Sequence, residues 1–246
     1  MAQMMTSARR AVIFDLYGTL ADVRVDEKRP GFWEALALDC FSSQHIPGKE
    51  LRARYERLCQ EAIQERAEGF MLDALFADLL GYYGLDPSAR AVAAFAGRVR
   101  RHSLVRLEQK PYTDDLLRAI RAAGYQLGLV SNTEALLTDY DLKMLELTDR
   151  FGALVLSSRV GVKKPDRRIF ALAVERLATT AAQCVFVGDN PVDDISGALD
   201  AGMDSVYLAG KDAQPAGGAP GRRVVQAAFD LGEILAALRE LGFTIS

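Results

Sequence analysis

The chain has 246 residues, 50% apolar and 26% charged, which excludes a disordered or membrane-embedded polypeptide and allows a sizeable core with room for an insertion. Its net charge of −3 gives no global basic footprint for nucleic acid. Cys40, Cys59 and Cys184 have no metal-ligand spacing, and Met1 to Arg10 precede only a short apolar run that Asp15 interrupts. The expectations are a reducing, cytoplasmic compartment, no signal peptide and no membrane partner.

In chain order, Ala11-Val12-Ile13-Phe14 reads as a buried strand that ends at Asp15, where a Gly18-Thr19 turn begins. Strand signals then stop after Leu20 until about Tyr125. Helical patterns fill the gap over Phe32–Phe41, Leu51–Ala67, Leu72–Tyr83 and Val92–Val105, punctuated by Gly48, Gly84 and Pro87. Arg98, Arg100, Arg101 and Arg106 read as a solvated helix face. His45 and His102 fall outside every motif.

From Tyr112 onward helices and strands alternate. Helices are expected over Asp114–Ala123, Ala135–Leu145, Ile169–Leu177, Ile195–Ala201 and Leu231–Leu241. Strands are expected over Leu127–Val130, Ala153–Leu156, Val185–Val187, Ser205–Leu208 and Val224–Ala228, with a surface loop over Lys211–Gly221. The alternation predicts an α/β fold, a doubly wound, Rossmann-like parallel sheet with right-handed crossovers. Residues 1–20 and 107–246 are expected to form that core, with residues 21–106 as a long inserted helical domain hinged at Asp22–Pro30 and Gln109–Pro111. The resemblance drawn below implies that this insertion is a helical cap domain, and a cap closing over the site would exclude water and set substrate choice, with Trp33, Tyr55, Arg66 and Met71 as candidates.

Polar clusters recur where the strands end: Asp15, Ser131-Asn132, and Gly188-Asp189 followed by Asp193-Asp194, with Lys163-Lys164-Pro165-Asp166 between. Open α/β sheets bind ligands at that carboxyl edge. Asp15 is the candidate nucleophile, since a carboxylate can attack a phosphoryl or alkyl centre and split one displacement into two. Thr19, Ser131 and Asn132 offer donors to a transferring group, and Lys164 offers a point charge. Asp189 crowding Asp15 calls for a hard divalent cation, and Mg²⁺ suits few carboxylates, a backbone carbonyl and water.

These four clusters, in this order, resemble the haloacid dehalogenase (HAD) superfamily of hydrolases, in its capped subfamily, over nearly the whole chain. The resemblance implies Asp15 as nucleophile, Ser131 as the second-motif hydroxyl and Lys164, before Pro165, as the third-motif lysine. It implies Asp189 and Asp194 or Asp193 as metal ligands, with spacing favouring Asp194. Lys163 then reads as solvated, Asp166 as a helix-start residue, and Gly18 and Gly188 as turn glycines.

Tyr17 departs from the pattern. Phosphatases of this family carry an Asp there as general acid and base, whereas Tyr resembles the haloacid dehalogenases proper, which need no metal. A phenol of reference pKa ~10 is a poor substitute at neutral pH. Asp189 argues the other way, because it would repel a haloacid carboxylate unless a cation intervened. Between Gly31 and Lys49 no Arg offers itself to a halide; Arg29 and Arg52 flank the gap. The expected function is Mg²⁺-dependent hydrolysis of a small phosphate ester through an aspartyl-phosphate at Asp15, with the Tyr17 carbonyl on the metal, by a monomer or homodimer. The alternatives are metal-independent 2-haloacid dehalogenation at Asp15, or a non-catalytic member that binds a phospho-ligand or a protein.

Overall fold

The computed structural model describes residues 10–65, 72–210 and 221–245. The expected Lys211–Gly221 loop, Gly221 excepted, lies outside them, as do Arg66 and Met71. The first half of the chain forms β1 (Ala11–Phe14), β2 (Ala21–Val25), α1 (Phe32–Cys40), α2 (Gly48–Glu65), α3 (Leu72–Tyr82), α4 (Ala89–Ser103) and β3 (Leu104–Gln109). Next come α5 (Thr113–Ala122), β4 (Gln126–Ser131), α6 (Ala135–Met144), β5 (Ala153–Leu156), a single turn α7 (Ser157–Val160) and α8 (Arg167–Arg176). The chain continues with β6 (Cys184–Gly188), a wide π-type turn over Pro191–Ser196, α9 (Gly197–Asp200), β7 (Asp204–Leu208), β8 (Val224–Ala227) and α10 (Leu231–Glu240).

Among the described residues, one parallel sheet runs in the order β5-β4-β1-β6-β7-β8. All four residues of β1 are buried, as a central strand covered on both faces requires. Ile13, Val130, Phe170 and Phe186 belong to the core packed on this sheet. After β1 the chain builds β4 and β5 on one side, then crosses to β6 on the other. The topological switch therefore falls at the carboxyl end of β1, where such sheets open a crevice.

The chain divides into two compact units, with boundaries after Asp22, Leu107, Thr133 and Met144. One unit carries the sheet. The other is helical, built on Phe32, Leu36, Phe41, Phe76 and Phe95, with Phe76 and Phe95 edge-to-face at 4.9 Å. Trp33 and Tyr55 pack on that core, their rings 5.1 Å apart.

Three expectations need correction. Strand does resume before Tyr125: β2 and β3 pair as a two-stranded ribbon, so α4 stops at Ser103 and the segments read as hinges are partly strand. The ribbon leaves several side chains of each strand exposed, Val25 and Val105 among them, and produces no buried apolar run. Secondly, α6 groups with the helical unit rather than with the sheet.

Thirdly, the arginine cluster is not one solvated face. Arg106 lies on β3, and Arg100 is buried on α4, where its Nε donates to both oxygens of Asp141 on α6 at 2.9 and 3.0 Å and its Nη2 donates to Asp141 as well. Removing one partner of a buried pair leaves the other charge unpaired, at a cost of about 3–5 kcal/mol. Asp141→Leu is therefore expected to destabilise the protein to urea by about that amount, and adding Arg100→Met to recover most of it. A cost below about 1 kcal/mol for the single variant would remove the pair from any structural role.

Candidate active site

Phe14 pairs with Leu129 on one side and Val187 on the other, so Asp15, Ser131 and Asp189 leave the sheet close together at its carboxyl edge. The Asp15 amide still donates to the Val187 carbonyl at 3.0 Å, which extends the ladder to the carboxylate itself. The chain then folds tightly: Leu20 and Ala21 donate to the Leu16 carbonyl at 2.8 and 3.0 Å. Gly18 sits at φ +89°, and a Cβ there would run into the Asp189 carboxylate. Glycine serves twice at this position, as a left-handed turn residue and as clearance. From the start of α5, Tyr112 Oη donates to the Thr19 carbonyl and Thr113 Oγ1 to the Leu20 carbonyl, both at 2.6 Å.

Lys164 is buried and its ammonium is shared, 2.5 Å from Asp15 Oδ1 and 2.6 Å from Asp194 Oδ1. The neighbouring Lys163 is exposed. Asp194 is held from its other oxygen by the amides of Asp189 (3.1 Å) and Asn190 (3.0 Å). A Cβ at Gly188 would occupy the space that Asp194 fills. Asn190 caps the π-type turn, accepting from the amides of Val192 and Asp193 at 2.9 Å each. That wide turn carries Asp194 inward and leaves Asp193 half-buried beside it.

Burial disfavours charge at Asp15; Lys164 opposes that effect and Asp194 adds to it, leaving the Asp15 pKa at about 6. Burial, then Asp194, raises Asp189 as well, against the Thr19 hydrogen bond. Burial works against the Lys164 ammonium, but Asp15 and Asp194 outweigh it and hold it above the ordinary lysine range. Asp15, Asp189 and Asp194 each offer an oxygen, and these oxygens lie within 4.8 Å of one another. With one lysine among three carboxylates, two negative charges remain in excess, a donor set that fits a hard divalent cation.

A cavity of about 200 Å³ is lined by Asp15, Tyr17, Ser131, Asn132, Lys164, Asp189 and Asp194, with Thr133, Asn190 and Asp193 completing it. Two expected donors are engaged by other residues of the site. Thr19 is fully buried, does not line the cavity, and donates from Oγ1 to Asp189 Oδ1 at 3.1 Å. Asn132 lines the cavity, but its amide grips the Lys164 backbone, Nδ2 to the carbonyl at 2.9 Å and Oδ1 from the amide at 2.7 Å. Asp166 caps α8, accepting from the Arg168 amide at 2.9 Å. Thr133 and Asn190 were not anticipated in the cavity wall, although each directly follows a motif residue and an Asn before Pro191 is a helix-capping signal.

The central strand with its buried carboxylate, flanked on both sides by polar strand ends, defines an α/β enzyme. Residues 9–202 match the haloacid dehalogenase-like hydrolase family, and the chain belongs to that family and is a hydrolase. It is 30% identical over 203 residues to the glyceraldehyde 3-phosphate phosphatase of Methanopyrus kandleri, covering 81% of this chain and 83% of that protein. It is 31% identical over 166 residues to the phosphoserine phosphatase of Thermus thermophilus, covering 67% and 64%. The crystal structure of 2-haloacid dehalogenase from Pseudomonas syringae pv. Tomato shares the fold, with a TM-score of 0.57 at 24% identity over 95% of this chain and 100% of that one.

Proposed function

We propose that the chain is a Mg²⁺-dependent phosphatase of a small phosphorylated metabolite, acting in the cytoplasm, with the helical unit as its cap. The observation that carries this reading is the cluster of Asp15, Asp189 and Asp194 around a single lysine. It could accept a dianionic phosphate only with a cation beside it, whereas a metal-free site would repel a haloacid. The phosphatase names among the similar proteins point the same way. Within the helical unit, Arg29 donates to the His102 carbonyl and Arg52 pairs with Glu56 at 2.7 Å, so both arginines flanking the cap's Arg-free stretch have other partners.

In the proposed reaction an Asp15 oxygen attacks phosphorus as the bond to the leaving alkoxide breaks; water then attacks the aspartyl-phosphate and releases inorganic phosphate. Ser131 and Lys164 face the transferring oxygens. Asp15, Asp189, Asp194 and the Tyr17 carbonyl would hold the cation, which supplies charge neutralisation. Tyr17 provides no carboxyl group, so the alkoxide takes its proton from water or from the substrate itself.

Phosphate release from a panel of small esters should require Mg²⁺ and stop in EDTA, and Asp189→Asn should sharply raise the Mg²⁺ needed. Asp15 must be ionised both to attack and to hold a cation, so at limiting Mg²⁺ activity should fall as pH drops through about 6, and saturating Mg²⁺ should move that fall to lower pH. The folded-state pKa lies above the ordinary 3.8, so in the metal-free protein this group's contribution to stability is lost as pH rises from there to about 6. Mg²⁺ relieves that loss, and the Tm gain it gives should grow across the same window. Full turnover in EDTA, with halide released from a 2-haloacid, would instead favour the dehalogenase reading that Tyr17 suggests.

A further inference from the structure

We propose that Asp193 biases this site toward phosphate esters whose leaving alcohol carries a positive charge, and against esters whose leaving group carries a second anion. The inference rests on the phosphatase reading and names the substrate class within it. Four carboxylates and one ammonium line the cavity. Asp15 and Asp194 share Lys164, and Asp189 accepts the Thr19 hydroxyl. Asp193 has no such partner: its carboxylate receives only a long 3.4 Å contact from Asn132 Nδ2, on the exposed side of the cavity, and among the described residues no Lys or Arg pairs with it.

The turn that carries Asp193 is anchored, since its amide donates to Asn190 Oδ1 at 2.9 Å. The backbone is thereby held where the half-buried Asp193 side chain lines the cavity. Even with Lys164 and one divalent cation, four carboxylates leave the cavity one negative charge in excess before the phosphate arrives. An ammonium a few bonds beyond the ester oxygen meets attraction from Asp193, and a carboxylate or second phosphate at the same point meets repulsion. Partial desolvation strengthens both effects, and repulsion of the wrong ligand contributes to specificity as much as attraction of the right one.

The test uses three phosphate esters of matched size as competitors of p-nitrophenyl phosphate hydrolysis with Mg²⁺ present: O-phosphoethanolamine, 2-hydroxyethyl phosphate and phosphoglycolate. In the parent, the cationic ester should inhibit at least about tenfold more tightly than the anionic one, with the neutral ester between. In Asp193→Asn that ratio should fall by roughly tenfold. A ratio unmoved by the substitution, or a raised Mg²⁺ requirement with the ratio unmoved, overturns the assignment and leaves the phosphatase reading standing. No phosphate release by the parent from p-nitrophenyl phosphate or from any of the three esters with Mg²⁺ present overturns both.

Discussion

Asp15→Asn is expected to lose turnover by at least about 10⁴-fold, as removal of a covalent nucleophile does, without losing stability. The carboxamide has nearly the same shape but is a far weaker nucleophile. The stability half of the expectation comes from the surroundings. Asp15 is buried beside Asp194, and burial disfavours its charged form even with Lys164 in contact. An amide there removes one of two carboxylates competing for one ammonium and can still accept from Lys164 Nζ. Thermal unfolding in EDTA at neutral pH should give a Tm no lower than that of the parent, while phosphate release falls to background. An inactive variant with a much lower Tm would mean that Asp15 holds the edge of the sheet rather than attacking. Activity above about 1% of the parent would move the nucleophile elsewhere.

The residues involved in this prediction were legible in the sequence for a physical reason. A central parallel strand must be apolar on both faces, so the first polar residue after such a run marks the carboxyl edge, and Asp15, Ser131 and Asp189 all announce themselves in that way. β5, over Ala153–Leu156, was legible to the residue on the same grounds. β2 and β3 were not, because Ala21–Val25 and Leu104–Gln109 mix charged with apolar residues and are only partly buried. Helical periodicity runs from α4 into Val105, and only the partner strand dictates where the helix stops.

Pairings between distant residues were equally hidden. Arg100 reads as one more surface charge until Asp141, 41 positions away, meets it in the helical unit. That contact, together with Leu136 and Leu137 packing on the helical core, also explains why α6 joins a unit that ends at Leu107 in the linear order. Thr19 and Asn132 have the residue types of substrate donors, and their actual partners, Asp189 and the Lys164 backbone, lie 170 and 32 positions away. Spacing identifies which residues gather at an edge. It does not decide which of them face one another and which face the cavity.

Lys164→Met is expected to cost about 3–5 kcal/mol of stability, together with a loss of turnover of roughly 10²–10³-fold. The ammonium is the only cation touching Asp15 and Asp194 among the described residues, and both carboxylates are buried. Methionine keeps the length of the side chain and removes the charge, leaving the two carboxylates, with Asp189 nearby, to repel one another in a desolvated cluster. The deficit should shrink as pH falls toward about 6: without the lysine, Asp15 takes up a proton at higher pH than in the parent, where it does so at about 6, so the folded variant recovers ground on the parent before that point. Adding Asp194→Asn should restore much of the stability by removing one of the repelling charges, but not the turnover, because charge on the transferring group remains uncompensated. Urea denaturation at pH 5 and pH 8 measures the first effect, and phosphate release measures the second. Equal stability of Lys164→Met and the parent at pH 8 would show that water or bulk cations already neutralise the cluster, and Lys164 would then be a substrate ligand without a part in holding the site together.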